Sequence, residues 1–118
     1  MTGVSVAGLG ATVSTSFGEP YHVARMFASL DHLCGGRAAW NVVTSASEKA
    51  ARNFGKALPA HDLRYAMATE FVDVVRGLWD TWDADAIVAD KTTGTFLDRS
   101  KVRPLEHKGR FFNVKGPL

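Results

Sequence analysis

Two uncharged runs, Val4 to Thr15 and Ala38 to Thr44, flank a stretch of helical period, and this order constrains the fold more than any other feature. The first run is small and β-branched and has no polar alternation. That pattern suits a strand covered on both faces, as in parallel sheets. Glu19-Pro20 opens the intervening helix, because proline fits the first helical position and an acid there suits the helix dipole. Val23, Met26 or Phe27, Leu30 and Leu33 then recur at helical spacing as one stripe for burial. Gly35-Gly36 ends the helix by accepting left-handed backbone angles, and the second run follows at once. Strand, helix and strand with short connections make a βαβ unit, which implies a right-handed crossover and a parallel sheet.

Beyond this unit, Ser45-Ala46-Ser47-Glu48 reads as a capping box for a short helix ending near Asn53-Phe54-Gly55. Lys56 to Ala60, with Pro59, is a loop. A longer helix is predicted from about Asp62 to Trp79 or Trp82. Met67, Phe71, Val75 and Leu78 form its apolar stripe, with Glu70, Asp73 and Arg76 off it. Asp83 to Ser100 is polar with little period, and Val102–Glu106 and Arg110–Val114 suit a hairpin turning at Lys108-Gly109. The expected fold class is α/β, as one domain over residues 1–118. Residues to about 82 form the βαβ unit and helices, and 83–118 form a loop and hairpin insertion.

Bulk properties exclude several function classes. The 118 residues carry 14 basic and 12 acidic side chains, a formal net charge of +2, with no clustered basic face for nucleic acid. Arg99, Lys101 and Arg103 are interrupted and read as a solvated loop. No run approaches the roughly 18 apolar residues of a membrane span. The N-terminus shows no cationic start with an apolar run, so no secretory leader is expected. The single cysteine, Cys34, allows no internal disulfide and fits a reducing compartment, so a cytoplasmic location is expected.

Several chemical motifs are set aside. Gly8-x-Gly10 lacks the third glycine of a dinucleotide fingerprint, and the helix opens about ten residues too late. His22, His32, His61 and His107 show no metal-ligand spacing. No nucleophile elbow supports a Ser-His-Asp site. Cys34, at a helix C-terminus, lies in the wrong field to form a thiolate.

Four residues stand out. Asn41 is an amide within an apolar strand, and a buried amide without partners costs about 1–3 kcal/mol. His61 and Tyr65, four apart, share a helix face. Thr12 lies, with Thr15, toward the carboxyl end of the first strand. Read alone, these are an amide pinning neighbouring backbone, a helix-start residue, a half-buried aromatic and a β-forming threonine.

An ordered series of blocks changes that reading. Gly8-Leu9-Gly10-Ala11-Thr12-Val13-Ser14-Thr15-Ser16, Glu19-Pro20-Tyr21, Ala24-Arg25, Leu30-Asp31-His32-Leu33 and Gly36-Arg37-Ala38-Ala39-Trp40-Asn41-Val42-Val43-Thr44-Ser45 come first. Ala51-Arg52-Asn53-Phe54-Gly55, His61-Asp62-Leu63-Arg64-Tyr65, Leu78-Trp79-Asp80, His107 to Val114 and Gly116-Pro117-Leu118 complete it. Together they resemble the bacterial luciferase-like flavin monooxygenases, in the branch of nitrilotriacetate, dibenzothiophene-sulfone and long-chain alkane monooxygenases and pristinamycin synthase. Cys34 departs mildly, at a position where a small hydroxyl residue is commoner in that branch.

The resemblance implies a partial TIM (β/α)8 barrel, running from near the third strand to before the fifth in proteins several times longer. It implies that Thr12, Asn41, His61 and Tyr65 face a cleft for reduced FMN, and it assigns no catalytic base. The complete enzyme would take the flavin from a separate FMN reductase component. It would form a flavin hydroperoxide and oxygenate a small organic substrate. Two parallel strands cannot close a barrel of about eight, so self-association and inactivity are expected of this piece alone. The alternative is a non-catalytic remnant or split-gene segment that folds only with a partner segment.

Overall fold

The computed structural model describes residues 7–118. Strand β1 (Leu9–Ser14) leads through helix α1 (Pro20–Leu33) to strand β2 (Ala38–Val43). The strands pair in parallel, from Leu9 with Ala38 to Ser14 with Val43. The expected βαβ unit is therefore present in an α/β chain. The part of the first uncharged run that falls on Val4 to Val6 lies outside the described residues. Residues 9–12 of β1 are exposed, so the cover expected on both faces is not supplied within these residues.

Helix α1 begins as its composition dictates, with Pro20 at the first position and Glu19 as N-cap. Gly35 and Gly36 end it at φ +66° and +81°, angles that cost glycine nothing. Val23, Ala24 and Phe27 bury its inner face. The stripe is narrower than expected, since Met26 and Leu33 are exposed, Leu33 to 86%. The short helix α2 (Glu48–Asn53) is capped by Ser47, whose hydroxyl accepts from the Ala50 N–H, and not by Ser45. Ser45 instead takes a left-handed φ of 60° just before it.

Helix α3 (His61–Trp79) starts one residue earlier than its period suggests, and buries Ala68, Phe71, Val74, Val75 and Leu78 against α1. Phe71, fully buried, is the centre of the core. It meets Trp40 of β2 at 5.8 Å and Phe112 edge-on at 5.5 Å between ring centroids. Burial of one such ring contributes about 1.5–3 kcal/mol. The Trp40 indole N–H donates to the Val13 carbonyl and the Trp79 indole N–H to the Ala24 carbonyl, so both half-buried rings keep their polar ends satisfied.

The 83–118 region departs twice from expectation. Its polar first half contains a hairpin, β3 (Ile87–Asp90) with β4 (Thr95–Leu97), followed by a single turn of 3-10 helix at Arg99–Lys101. Here Lys101 pairs with Asp85, and Arg103 with Asp83 at 2.8 Å. The second hairpin, β5 (His107–Lys108) with β6 (Asn113–Val114), turns around Arg110 and Phe111 and not at Lys108-Gly109. The cause lies on α3. The Glu70 carboxylate accepts the Phe111 and Phe112 N–H groups, and this fixes the turn two residues later. Among the described residues, no helix is long and apolar enough to cross a membrane.

Candidate functional site

Side chains alternate across a strand. Val13 and Trp40 pack toward the helices, so Thr12 and Asn41 stand on the opposite face of the two-stranded sheet. The register sets them side by side. The Asn41 Nδ2 amide donates to Thr12 Oγ1 at 3.1 Å. This bond leaves the Thr12 hydroxyl proton and the Asn41 carbonyl oxygen able to meet a further group. Both residues are exposed. Neither is therefore an amide or hydroxyl buried merely to pin backbone.

The floor beside them is small. Gly10 and Ala39 are paired neighbours, each two residues before Thr12 and Asn41 and hence on the same face. A flat ring system can approach such a floor closely, with polar contacts toward the carboxyl ends of the strands.

His61 and Tyr65 form the second pair. They lie on the first turns of α3 with ring centroids 4.6 Å apart. His61 Nδ1 sits 3.0 Å from Asp62 Oδ1, which leaves Nε2 open. The Tyr65 side is open as well, at 54% exposed. An open cavity of about 580 Å³ brings Tyr65 to the carboxyl end of β2, with Val42 to Ser45 along one wall and Thr69 and Asp73 on the other. The four expected residues thus fall into two separate pairs, Thr12 with Asn41 on the sheet face and His61 with Tyr65 on α3, and of these Tyr65 shares a cavity with the carboxyl end of β2.

Sequence reasoning missed the hydroxyls between the pairs. Ser45 Oγ donates to Ser14 Oγ at 2.7 Å, and the Ser16 N–H also reaches Ser14 Oγ. Thr15 and Ser16 donate to the Val43 and Thr44 carbonyls, tying the strand ends together. The signal was present as an alternation of Thr12 and Ser14, but the partner at Ser45 depends on a left-handed angle that sequence does not announce. Among the described residues no group of His, Cys, Asp and Glu is placed to hold a metal ion. Cys34 is buried at the C-cap of α1.

Residues 7–118 match the model of the luciferase-like monooxygenases, across nearly the whole chain. The chain belongs to that family. N-acetyl-S-(2-succino)cysteine monooxygenase of Bacillus subtilis (strain 168) is 56% identical over 115 residues, 97% of this chain and 26% of that protein. Dibenzothiophene-sulfone monooxygenase of Rhodococcus erythropolis is 54% identical over 112 residues, 94% of this chain and 25% of that protein. Among solved structures, a long-chain alkane monooxygenase superposes with a TM-score of 0.85 at 42% identity, over 93% of this chain and 26% of the other. A riboflavin lyase, solved with modified FMN and riboflavin, gives 0.84 at 45% identity, over 92% and 25%. The chain therefore spans about a quarter of the length of the luciferase-like relatives it matches.

Proposed function

We propose that this chain supplies one wall of a flavin site in a two-component FMN-dependent monooxygenase, and that Thr12, Asn41, His61 and Tyr65 contact the cofactor. The observation that supports it best is the Asn41–Thr12 pair, two polar groups bonded to each other at 3.1 Å on an otherwise small and uncharged sheet face. The donor set fits FMN. Neutral amide and hydroxyl groups suit the polar edge of a flavin ring, the Gly10–Ala39 floor suits its flat face, and His61 Nε2 with the Tyr65 hydroxyl suits the ring edge or the phosphate.

Reduced FMN, delivered by a separate reductase, would supply the oxygen activation and the transfer of one oxygen atom to a small organic substrate. This chain's residues would bind and orient the ring. The βαβ unit is read as part of a (β/α)8 barrel, with the candidate residues at the carboxyl end of its strands, where such barrels build their sites. Exclusion of water from the ring needs the remaining walls of a closed barrel. Oxygenation is accordingly assigned to the complete barrel.

The test is amide hydrogen exchange of the chain with and without FMN. Added protection is expected in Gly10–Ser14, Ala39–Ser45 and the first turns of α3. Protection confined to other segments would contradict the placement. A second reading, favoured by the exposure along β1, is a non-catalytic segment that serves only by pairing with a partner segment. It predicts no FMN-dependent protection at all.

A further inference from the structure

Beyond Thr12 and Asn41, the same sheet end carries two hydroxyls with a proton to spare. Ser14 lies two residues after Thr12 and so faces the same side. Its oxygen accepts from Ser45 Oγ at 2.7 Å and from the Ser16 N–H at 3.2 Å. A serine hydroxyl has two lone pairs and one proton. Both lone pairs are thus engaged, and the proton is left to donate. The count survives reversal of the Ser14–Ser45 bond, because two hydroxyls own two protons and the bond between them uses one. Neither finds another acceptor among the hydrogen bonds of the described residues.

The neighbouring hydroxyls behave differently. Thr15 donates to the Val43 carbonyl and Ser16 to the Thr44 carbonyl. Their protons are consumed within the protein. Ser45 is held at φ 60°, a conformation unfavourable for an L-residue outside glycine and asparagine. That angle carries its hydroxyl onto Ser14 while the residue lines the same cavity as Tyr65. The pair therefore bridges the Thr12–Asn41 face and the Tyr65 cavity.

We propose that Ser14 contacts the bound flavin, donating its hydroxyl proton to a carbonyl or nitrogen acceptor of the ring system, with Ser45 as the positioning residue that orients it. This rests on the flavin reading above. The test is equilibrium dialysis of the whole 118-residue chain against FMN, lumiflavin and inorganic phosphate in parallel, with a thermal melt of each variant. Ser14→Ala should weaken FMN and lumiflavin alike by roughly 2- to 12-fold, the loss of one neutral hydrogen bond. Ser14→Thr should retain affinity. Ser45→Gly accepts the left-handed angle without strain, so it should keep the melting temperature yet lose affinity. Ser45→Asn, which tolerates that angle and carries a donor, should restore it.

If Ser14→Ala leaves flavin affinity unchanged while Asn41→Ala weakens it, the Ser14 assignment is wrong and the flavin reading stands. A loss seen for FMN and phosphate but not for lumiflavin overturns the ring assignment in favour of a phosphate contact. No flavin bound by the unaltered chain rejects both.

Discussion

Glu70 Oε1 and His107 Nε2 lie 3.0 Å apart, a bond that joins the middle of α3 to the first strand of the second hairpin. The same carboxylate accepts the Phe111 N–H at 3.0 Å and the Phe112 N–H at 3.0 Å. One side chain thus replaces water for a whole turn, and Phe112 is set against Phe71 as a result. The hairpin has only two ladder pairs of its own, so this anchor, with the packing of Phe112 and Val114 on the core, holds it down.

The His107 bond, ahead of the opposing effect of burial and the help of the two amides, holds the Glu70 carboxyl below its ordinary value of 4.5. A carboxylate lowered in the folded state adds stability that is complete above its unfolded value and is lost as pH falls through the folded value. Stability should therefore decline below about pH 4.5. In Glu70→Gln this acid limb should be shallower, and the neutral-pH melting temperature lower. Asp85, Asp90 and Asp98 are lowered by their own hydrogen bonds to Lys101, Thr92 and Ser100. They leave a residual slope of the same sign. Melts across an acid pH series check this, and equal slopes for variant and parent would remove Glu70 from the acid transition.

Gly109 sits against that anchor. A Cβ there would overlap the Glu70 carboxylate and come within 2.6 Å of His107 Nε2. Gly109→Ala should cost about 1–3 kcal/mol, typical of overpacking, and should expose the hairpin to proteolysis before the helices. A variant as stable and as protease-resistant as the parent would show that the turn can shift freely.

Among the described residues, strands β1 and β2 form a two-stranded sheet in which each keeps one open edge. Neither strand carries a charged side chain to discourage pairing. The purified chain should therefore self-associate, and light scattering should report oligomers. A monomer that melts cooperatively would mean that the Phe71-centred core suffices alone.

Particular residues show what was legible in the sequence. The Glu19-Pro20 start, the Gly35-Gly36 stop and the burial of Phe27, Phe71, Val75 and Leu78 follow from local backbone chemistry and helical period. Leu33 and Met26 fit the same period yet face outward, because period alone does not reveal how wide the opposing surface is. Glu70 looked like an ordinary solvated charge. Its partners lie 37 to 42 residues away, beyond any local pattern. The β3–β4 hairpin escaped because its apolar residues Ile87, Val88 and Phe96 are themselves exposed, so no alternation marks it. Thr12 and Asn41 were each recognisable through the family motif, but their hydrogen bond depends on the register of a crossover, which only the fold supplies.

That bond offers the most direct measurement. In a double-mutant cycle, FMN affinity is determined by equilibrium dialysis for the parent chain, Thr12→Ala, Asn41→Ala and the double variant, with melting temperatures alongside. If the pair contacts the flavin as a unit, each single change should weaken binding roughly 2- to 12-fold. The double change should cost less than the product of the two, because either alone already breaks the shared bond. Melting temperatures should stay within a few degrees, since both side chains are exposed. Unchanged FMN affinity in all three variants, with the fold intact, would contradict the assignment of this face to the flavin.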